Sequence, residues 1–286
     1  VNAVAEDTFS PDNQGFCWKP FSVLPSCTML FLLSPAKALD YDSPVGAAPS
    51  TIPIFAKQSS ELINILKNKS PEEISKLMGL SDALVNLNIH RYNSWRPTFN
   101  TDNSRQAVLA FNGDVYEGLD SRSLKTVDLV WAQSHLIILS GLYGVLRPLD
   151  LMRPYRLEMG TALSQAKGKN LYEFWGHQIT DYLNEQMVGD LDPTIVNLAS
   201  QEYFKSVHKK VLRAKVVECV FEDYKSGKYK IISFFAKRAR GLMARYAIMQ
   251  RVKNIEKLKE FNVEGYSFVG DLSTAERFVF RRKIAP

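Results

Sequence analysis

Short apolar runs separated by helical stretches organise this chain. The first run, MLFLL, begins at Met29 and ends at Ser34-Pro35, and its length indicates a buried strand that delivers a loop to the protein surface. The lysine-flanked segment Lys225-Ser226-Gly227-Lys228 is typical of a hairpin turn between two strands. The further predicted strands are AVLAF, HLIILSG, TIVNLA, AKVVECVF, YKIISFF, GYSFVG and ERFVFRRK.

Helical periodicity predicts most of the remaining elements. We expect helices in residues 59–68 and around residues 122–134, one in LYEFWGHQITDYLNEQM, and a basic helix from about Ala236. Strands and helices alternate irregularly, and no internal repeat is present. The pattern therefore favours a mixed α/β (α+β) fold, in which residues 29–286 form a single compact domain with a mixed sheet surrounded by helices.

Two short helices joined by a tight turn are predicted in residues 70–96. Ser70 begins a capping box in SPEEISKLM, Gly79 ends this helix, and Ser81 can cap a second helix that runs towards Trp95. The arrangement resembles a helix-hairpin-helix, whose backbone N–H groups hold a phosphate without reading base sequence. An ordinary αα-hairpin is the alternative, because a serine stands where the usual module has its second glycine.

The first 28 residues differ from the rest of the chain. Pro, Ser, Asn and Asp dominate them, and neither a helical nor a strand period persists. We expect residues 1–28 to be a poorly ordered N-terminal extension. The change of pattern at Met29 leads to the hypothesis that Met29 is the native start.

Charge is unevenly distributed along the sequence. Residues 201–286 hold 20 of the 36 Lys and Arg but only 9 of the 30 Asp and Glu, a balance of +11, whereas residues 1–200 carry −5. Clustered cations gain affinity for a polyanion by releasing its counterions, so the segregation favours a nucleic acid as partner. A basic C-terminal third without a partner is the alternative.

Several classes of function lack support in the sequence. No apolar run reaches the roughly 18 residues of a membrane span, and the first residues lack the basic and apolar regions of a secretory signal, so we expect a cytoplasmic protein without a membrane partner. The Cys and His residues show no metal-binding spacing, and no GxGxxG or GxxxxGK[ST] motif occurs. We therefore predict no metal and no cofactor.

Cationic side chains in three segments are the candidate phosphate ligands. One segment is the predicted helical hairpin of residues 70–96. The second is FFAKRARGLMARYAIMQR, in which cations cover about half of the helical circumference. The third is SGLYGVLRPLDLMRPYRLEMG, in which three arginines project from a stiff loop. The alternative to phosphate binding is a structural role, in which these cations form a solvated helix face or donate hydrogen bonds to carbonyl oxygens. The predicted nucleic-acid-binding residues are Lys37, Gly79, Ser81, Arg91, Arg96, Arg147, Arg153, Arg156, Lys237, Arg238, Arg240 and Arg245.

An enzymatic function is the competing hypothesis. A set of acid, base and anion-holding groups would act on a phosphorylated or nucleic-acid substrate if the fold brings it together. A deep pocket would favour this hypothesis, whereas a broad, shallow basic groove would favour DNA binding. The members of this set are Lys37, Asp40, Glu202, Tyr203 and Lys237.

Long ordered strings carry a family resemblance. They are SPAKALDY, LAFNGDVYEGL, ILSGLYGVLRPLDLMRPYRLEMGT, LYEFWG, VNLASQEYFKSV and FFAKRARGLMAR. From Met29 to near the end, the chain resembles the YaaA family of bacterial peroxide-stress proteins. The resemblance implies a cytoplasmic protein that is induced by hydrogen peroxide, limits damage by free iron and hydroxyl radicals, and is associated with DNA binding and recombinational repair.

The same resemblance implies a single α/β domain with a positive cleft and a helix-hairpin-helix that maps onto residues 70–96. It carries over no catalytic residue. We therefore predict a non-enzymatic oxidative-stress protein that binds duplex or branched DNA without sequence specificity through a basic cleft.

Overall fold

The computed structural model describes residues 29–46 and 48–283. The extension predicted for residues 1–28 lies outside the described residues. The strands are β1 (Met29–Leu33), β2 (Ala38–Leu39), β3 (Arg105–Gln106), β4 (Phe111–Asn112), β5 (Leu136–Ser140), β6 (Gly144–Leu146), β7 (Leu151–Met152), β8 (Thr194–Asn197), β9 (Lys215–Lys225), β10 (Lys228–Lys230), β11 (Ser267–Phe268) and β12 (Arg277–Arg282). The helices are α1 (Ala56–Lys67), α2 (Pro71–Met78), α3 (Asp82–Ser94), α4 (Ala107–Ala110), α5 (Asp114–Leu119), α6 (Thr126–His135), α7 (Leu171–Trp175), α8 (Gln178–Gln186), α9 (Gln201–Phe204) and α10 (Ser233–Met249).

One large sheet organises the described part of the chain. Its strand order is β11-β12-β9-β8-β1-β5-β6, and β10 pairs with β9. The five strands from β12 to β5 run parallel, whereas β6, β10 and β11 pair antiparallel with their neighbours. Every residue of β1 and β5 is buried, as is typical of central parallel strands that are covered on both faces. The mixed α/β fold predicted from the sequence is confirmed.

The connections of β1 and β8 leave the sheet in opposite directions. These strands are parallel neighbours, yet the chain passes from β1 towards β5 on one side and from β8 towards β9 on the other. A crevice forms at the carboxyl ends of two such strands. The loops that line it are joined by a hydrogen bond, because the Ser200 N–H donates to Ser34 Oγ at 2.8 Å.

Two glycines allow α5 and α10 to cross at close range. A Cβ atom at Gly241 would lie 1.8 Å from the Val115 carbonyl oxygen. One at Gly118 would lie 2.2 Å from the Arg238 carbonyl oxygen. Only a residue without a side chain fits at these backbone separations. The crossing therefore fixes the position of α10, and of its cations, against the start of α5.

Two strand predictions are wrong over part of their length. The first four residues of the AVLAF run, Ala107–Ala110, form the short helix α4, and only Phe111 belongs to a strand, β4. All of α4 is buried, and a short apolar run that is buried on every side fits a strand or a helical turn equally well. The YKIISFF strand ends at Lys230, and its last three residues already belong to α10, which begins at Ser233.

The helix predicted in LYEFWGHQITDYLNEQM is two helices. Gly176, between α7 and α8, has a φ of 46° and a ψ of −127°, a backbone conformation that residues with side chains rarely adopt. The break allows Trp175 to turn into the core, where its indole Nε1–H donates to the Gly141 carbonyl oxygen at 3.0 Å. The predicted hairpin is confirmed, since Ser226 and Gly227 join β9 to β10 with φ values of 54° and 81°.

Candidate functional site

A cleft of about 510 Å³ opens at the carboxyl ends of β1 and β8. Its walls are the loops after these strands, the start of α5, the segment 155–158 and the first half of α10. The volume lies within the range of roughly 300–1,000 Å³ that is typical of ligand pockets. The charged residues that line the cleft are Lys37, Asp114, Arg156, Glu158, Glu202, Lys237 and Arg240.

One carboxylate orients two of the cleft cations. Glu158 Oε1 lies 3.3 Å from Lys37 Nζ and 3.1 Å from Arg156 Nη2. Its second oxygen, Oε2, is buried and accepts no hydrogen bond from a described residue. The Lys37 side chain is 69% exposed, so its ammonium group reaches the mouth of the cleft and its ion pair contributes little to stability.

The two cations that α10 contributes are less neutralised. Lys237 Nζ lies 3.9 Å from Asp114 Oδ2, and both side chains are exposed. Arg240 is partly buried and makes no hydrogen bond or ion pair with any residue that the structure describes. Burial lowers the pKa of the Arg240 guanidinium, while the more distant Glu218 carboxylate acts in the opposite direction. An anion in the cleft would replace the hydration that this guanidinium has lost.

Other predicted arginines of α10 lie outside the cleft. Arg238 Nη2 forms an ion pair with Glu264 Oε1 at 2.6 Å. Arg245 Nη1 donates to the main-chain carbonyl oxygens of Leu119 and Asp120 at 3.1 and 2.9 Å. These side chains hold α10 to its neighbours and do not line the cleft.

The predicted arginine-rich loop is divided between the cleft and the body of the protein. Arg156 lines the cleft, as described above. Arg147 instead forms an ion pair with the fully buried Asp150 at 2.9 Å. Arg153 donates to the carbonyl oxygens of Thr98 and Ser94. Of the three arginines, Arg156 therefore lines the cleft and Arg147 and Arg153 do not, while phosphate binding by any of them stays a prediction.

The two helices and the turn predicted in residues 70–96 are present as α2 and α3. Ser70 and Glu73 form the capping box, and Gly79 adopts a left-handed conformation with φ of 61°. Ser81 is the N-cap of α3, but its side chain bonds no N–H of the first turn. These N–H groups remain available to a phosphate, and phosphate binding at this hairpin stays a prediction.

The far end of α3 approaches the cleft wall. Tyr92 OH donates to the Arg156 carbonyl oxygen at 2.5 Å. Arg91 donates weakly to Asn88 at 3.4 Å, and Arg96 Nη1 donates to the carbonyl oxygen of Trp95. Neither arginine lines the cleft.

Four residues of the alternative catalytic set do converge. Lys37, Glu202, Tyr203 and Lys237 all line the cleft. Glu202 Oε1 accepts a hydrogen bond from the Gly160 N–H at 2.9 Å, and desolvation raises the pKa of the buried Tyr203 hydroxyl.

Asp40, the fifth member of that set, lies elsewhere. It does not line the cleft, because its carboxylate pairs with Arg105 and Arg122. Hydrogen bonds from Ser43 lower the Asp40 pKa to about 2, which makes it a poor proton acceptor near neutral pH. Its inclusion in the catalytic set is therefore corrected.

Sequence reasoning missed several groups at and near the cleft. Glu158 is a single acid beside two arginines, and Asp114 is one of three acids in NGDVYEGLD, so no spacing marked either of them. A second groove also exists on the other side of α9, with Lys205, Lys209 and Arg277 among its lining residues. Its cations come from three separate segments that only the fold brings together.

Two features of the described residues bear on the predicted absence of membrane and metal partners. No helix within residues 29–46 and 48–283 is long and apolar enough to span a bilayer. Over the same residues, no group of three or more His, Cys, Asp and Glu side chains is arranged to hold a metal ion. Cytoplasmic location and the lack of a cofactor stay predictions.

The Cys219 thiol is expected to be unreactive in the folded protein. It is buried, and desolvation raises its pKa to about 12, so almost no thiolate is present near neutral pH. In a variant that carries Cys17→Ser and Cys27→Ser, a thiol-reactive dye should label the protein only after denaturation. Rapid labelling without denaturant would contradict this expectation, and labelling in guanidinium is the control.

The sheet and its crevice define an α/β protein with a charged, ligand-sized cleft at a topological switch point. A family model described as peroxide stress protein YaaA matches residues 29–272, and the chain belongs to this family. It is 65% identical over 254 residues to a UPF0246 protein of Polaromonas naphthalenivorans, covering 89% of this chain and 98% of the relative. It is 61% identical over 256 residues to a UPF0246 protein of Bordetella avium, covering 90% and 100%. The family predicted from the sequence is confirmed, and its description supports a role in oxidative stress.

Proposed function

We propose that this protein serves the peroxide-stress response, that it binds DNA phosphates in the cleft without reading sequence, and that it helps limit hydroxyl-radical damage from free iron. The observation that carries the proposal is Arg240. It is a guanidinium held at the wall of a strand-end cleft with no carboxylate or carbonyl partner among the described residues. Guanidinium groups match the oxygens of a phosphate with two parallel hydrogen bonds.

The surrounding charges support a phosphate rather than a cation as ligand. Four cations and three acids line the cleft, and Glu158 is already shared by Lys37 and Arg156. The remaining cations, Lys237 and Arg240, lie one helical turn apart on α10. Contacts of this kind fix DNA through its backbone and carry no sequence information.

The hairpin of α2 and α3 provides a second candidate contact with the same DNA. Its α3 N-terminus carries N–H groups that the Ser81 side chain leaves unbonded, and α3 ends against the segment that supplies Arg156 to the cleft. Helix N-termini attract phosphates through these groups and the helix dipole. A duplex or branched DNA that binds at both places would be held without base contacts.

The replacement Arg240→Gln tests the proposal. It removes one unpartnered charge from the cleft, and we expect affinity for duplex DNA to fall about fivefold to tenfold and the slope of log affinity against log salt to decrease by about one. Fluorescence anisotropy at several salt concentrations measures both quantities.

Arg238→Gln is the matched control, because it removes the same charge from the same helix outside the cleft. Its guanidinium is already paired with Glu264, so the salt slope should stay near that of the wild type. If the two variants behave alike, the contact is the exposed side of α10 and the cleft is not the binding site.

An enzyme that acts on a phosphorylated or nucleic-acid substrate in the same cleft is the second candidate. It is favoured by one observation: Lys37, Glu202, Tyr203 and Lys237 meet in a concave site at the strand ends, where active sites of α/β folds gather. Incubation with labelled DNA and nucleotides, followed by mass analysis, would reveal turnover. A product that Glu202→Gln abolishes would support catalysis over simple binding.

A further inference from the structure

We propose that the strand-end cleft receives a single unpaired nucleotide of the bound DNA, an inference that rests on the proposed function. A cleft of about 510 Å³ has the size of a site for one small ligand, so it holds a group as large as a nucleotide and not a whole duplex. One nucleotide that has left the base stack is small enough. The phosphates of a paired duplex therefore contact only the cations at the edge of the cleft, whereas a nucleotide that projects from the helix or lies in a single strand enters it.

The lining of the cleft suits a flat, partly apolar group. The partly exposed Pro35 and Ala36 contribute apolar surface, and the buried Val115, Tyr155 and Leu157 add small areas. Bases that leave the stack are held between such apolar and aromatic side chains. A free phosphate or a sugar phosphate would leave this surface in contact with water.

A polar group stands beside the apolar wall. The side-chain amide of Asn112 lines the cleft and makes no hydrogen bond within the described residues, although its backbone pairs with Ala38. An amide offers two donors and one acceptor, which can pair with the edge of any base. Asn112 therefore provides a contact for a base without restricting its identity.

The cations lie where the backbone of such a nucleotide would pass. Arg240 and Lys237 border the cleft from α10, and the exposed Lys37 lies at its mouth. A nucleotide whose base occupies the apolar part of the cleft places its own phosphate within reach of the cleft wall, and the phosphates of the neighbouring nucleotides lie outside. The partly buried Arg240 suits the nucleotide's own phosphate, and the exposed Lys37 and Lys237 suit the neighbouring phosphates.

The test compares three duplexes of equal length: fully paired, with one extra unpaired nucleotide, and with an abasic residue at that extra position. We expect the unpaired nucleotide to be bound about tenfold more tightly than the paired duplex, and the abasic residue to lose most of this gain. A 2-aminopurine at the extra position should also change its fluorescence on binding. Equal affinity for all three duplexes would overturn the proposal.

Ala38→Phe tests the cleft itself. Ala38 is exposed and lines the cleft, so the larger side chain narrows it without changing charge, and the preference for the unpaired nucleotide should disappear. Ala166→Phe, at an exposed position that does not line the cleft, is the matched control and should keep the preference. If circular dichroism shows that Ala38→Phe does not fold, Asn112→Ala takes its place and should reduce the preference at least threefold.

The possible outcomes separate this inference from the function on which it rests. If Arg240→Gln weakens binding of the paired duplex but no preference for the unpaired nucleotide exists, DNA binding stands and the nucleotide cleft falls. If both results are negative, the DNA proposal itself fails. Binding of free mononucleotides with no preference among the duplexes would identify a small phosphorylated ligand instead.

Discussion

We expect the replacement Gly241→Ala to lower the free energy of unfolding by more than about 3 kcal/mol. On a solvated helix the same change would stabilise the protein by about 1 kcal/mol, because alanine is the better helix former. Here the new Cβ would lie 1.8 Å from the Val115 carbonyl oxygen, and a backbone atom cannot rotate away as a flexible side chain can. Helices α5 and α10 must separate. Urea denaturation followed by circular dichroism measures the loss.

Gly46→Ala is the control for this prediction. No described heavy atom lies within 4 Å of the position that its Cβ would take, so the change should stay within about 0.5 kcal/mol of the wild type. A Gly241→Ala protein that is as stable as the wild type would show that the two helices do not cross as closely as the structure indicates.

Removing the Asp150 carboxylate should be similarly damaging. The Asp150 side chain is fully buried, pairs with Arg147 at 2.9 Å and accepts a hydrogen bond from Thr51 Oγ1 at 2.5 Å. Asp150→Ala leaves the largely buried Arg147 guanidinium without a partner, and breaking such a pair costs about 3–5 kcal/mol. The loss is measured by the same denaturation experiment.

The double variant Asp150→Ala with Arg147→Met provides the control. Because it removes the orphaned charge as well, it should recover part of the stability that the single variant loses, and the difference gives the coupling energy. An Asp150→Ala loss below about 1 kcal/mol would mean that Arg147 is solvated and free to bind another anion.

The sequence predicted elements where a local rule applied. The capping box at Ser70, the left-handed Gly79 and the Ser226-Gly227 turn each depend on neighbouring residues alone, and each is present in the structure. The buried run from Met29 was likewise recognisable because a central parallel strand is apolar throughout. The AVLAF run failed because burial on all sides removes the periodicity that distinguishes a strand from a helix.

The cleft was predictable in part. Cations cluster in the segments of Arg156, Lys237 and Arg240, whereas Lys37 follows the first strand, and all four line one cavity. The same clustering could not separate Arg240 from Arg238, whose partner Glu264 lies 26 positions further along the chain. Partners at that distance are set by tertiary packing, and no local pattern reports them.

The hydrogen bond between Ser34 and Ser200 joins residues that are 166 positions apart. Loops separated so widely meet late in folding, because closing a long stretch of chain costs entropy before any contact is gained. Helix α10, which completes the cleft, follows later still in the order of synthesis. A nascent chain on the ribosome therefore cannot form the complete cleft until α10, residues Ser233–Met249, has emerged.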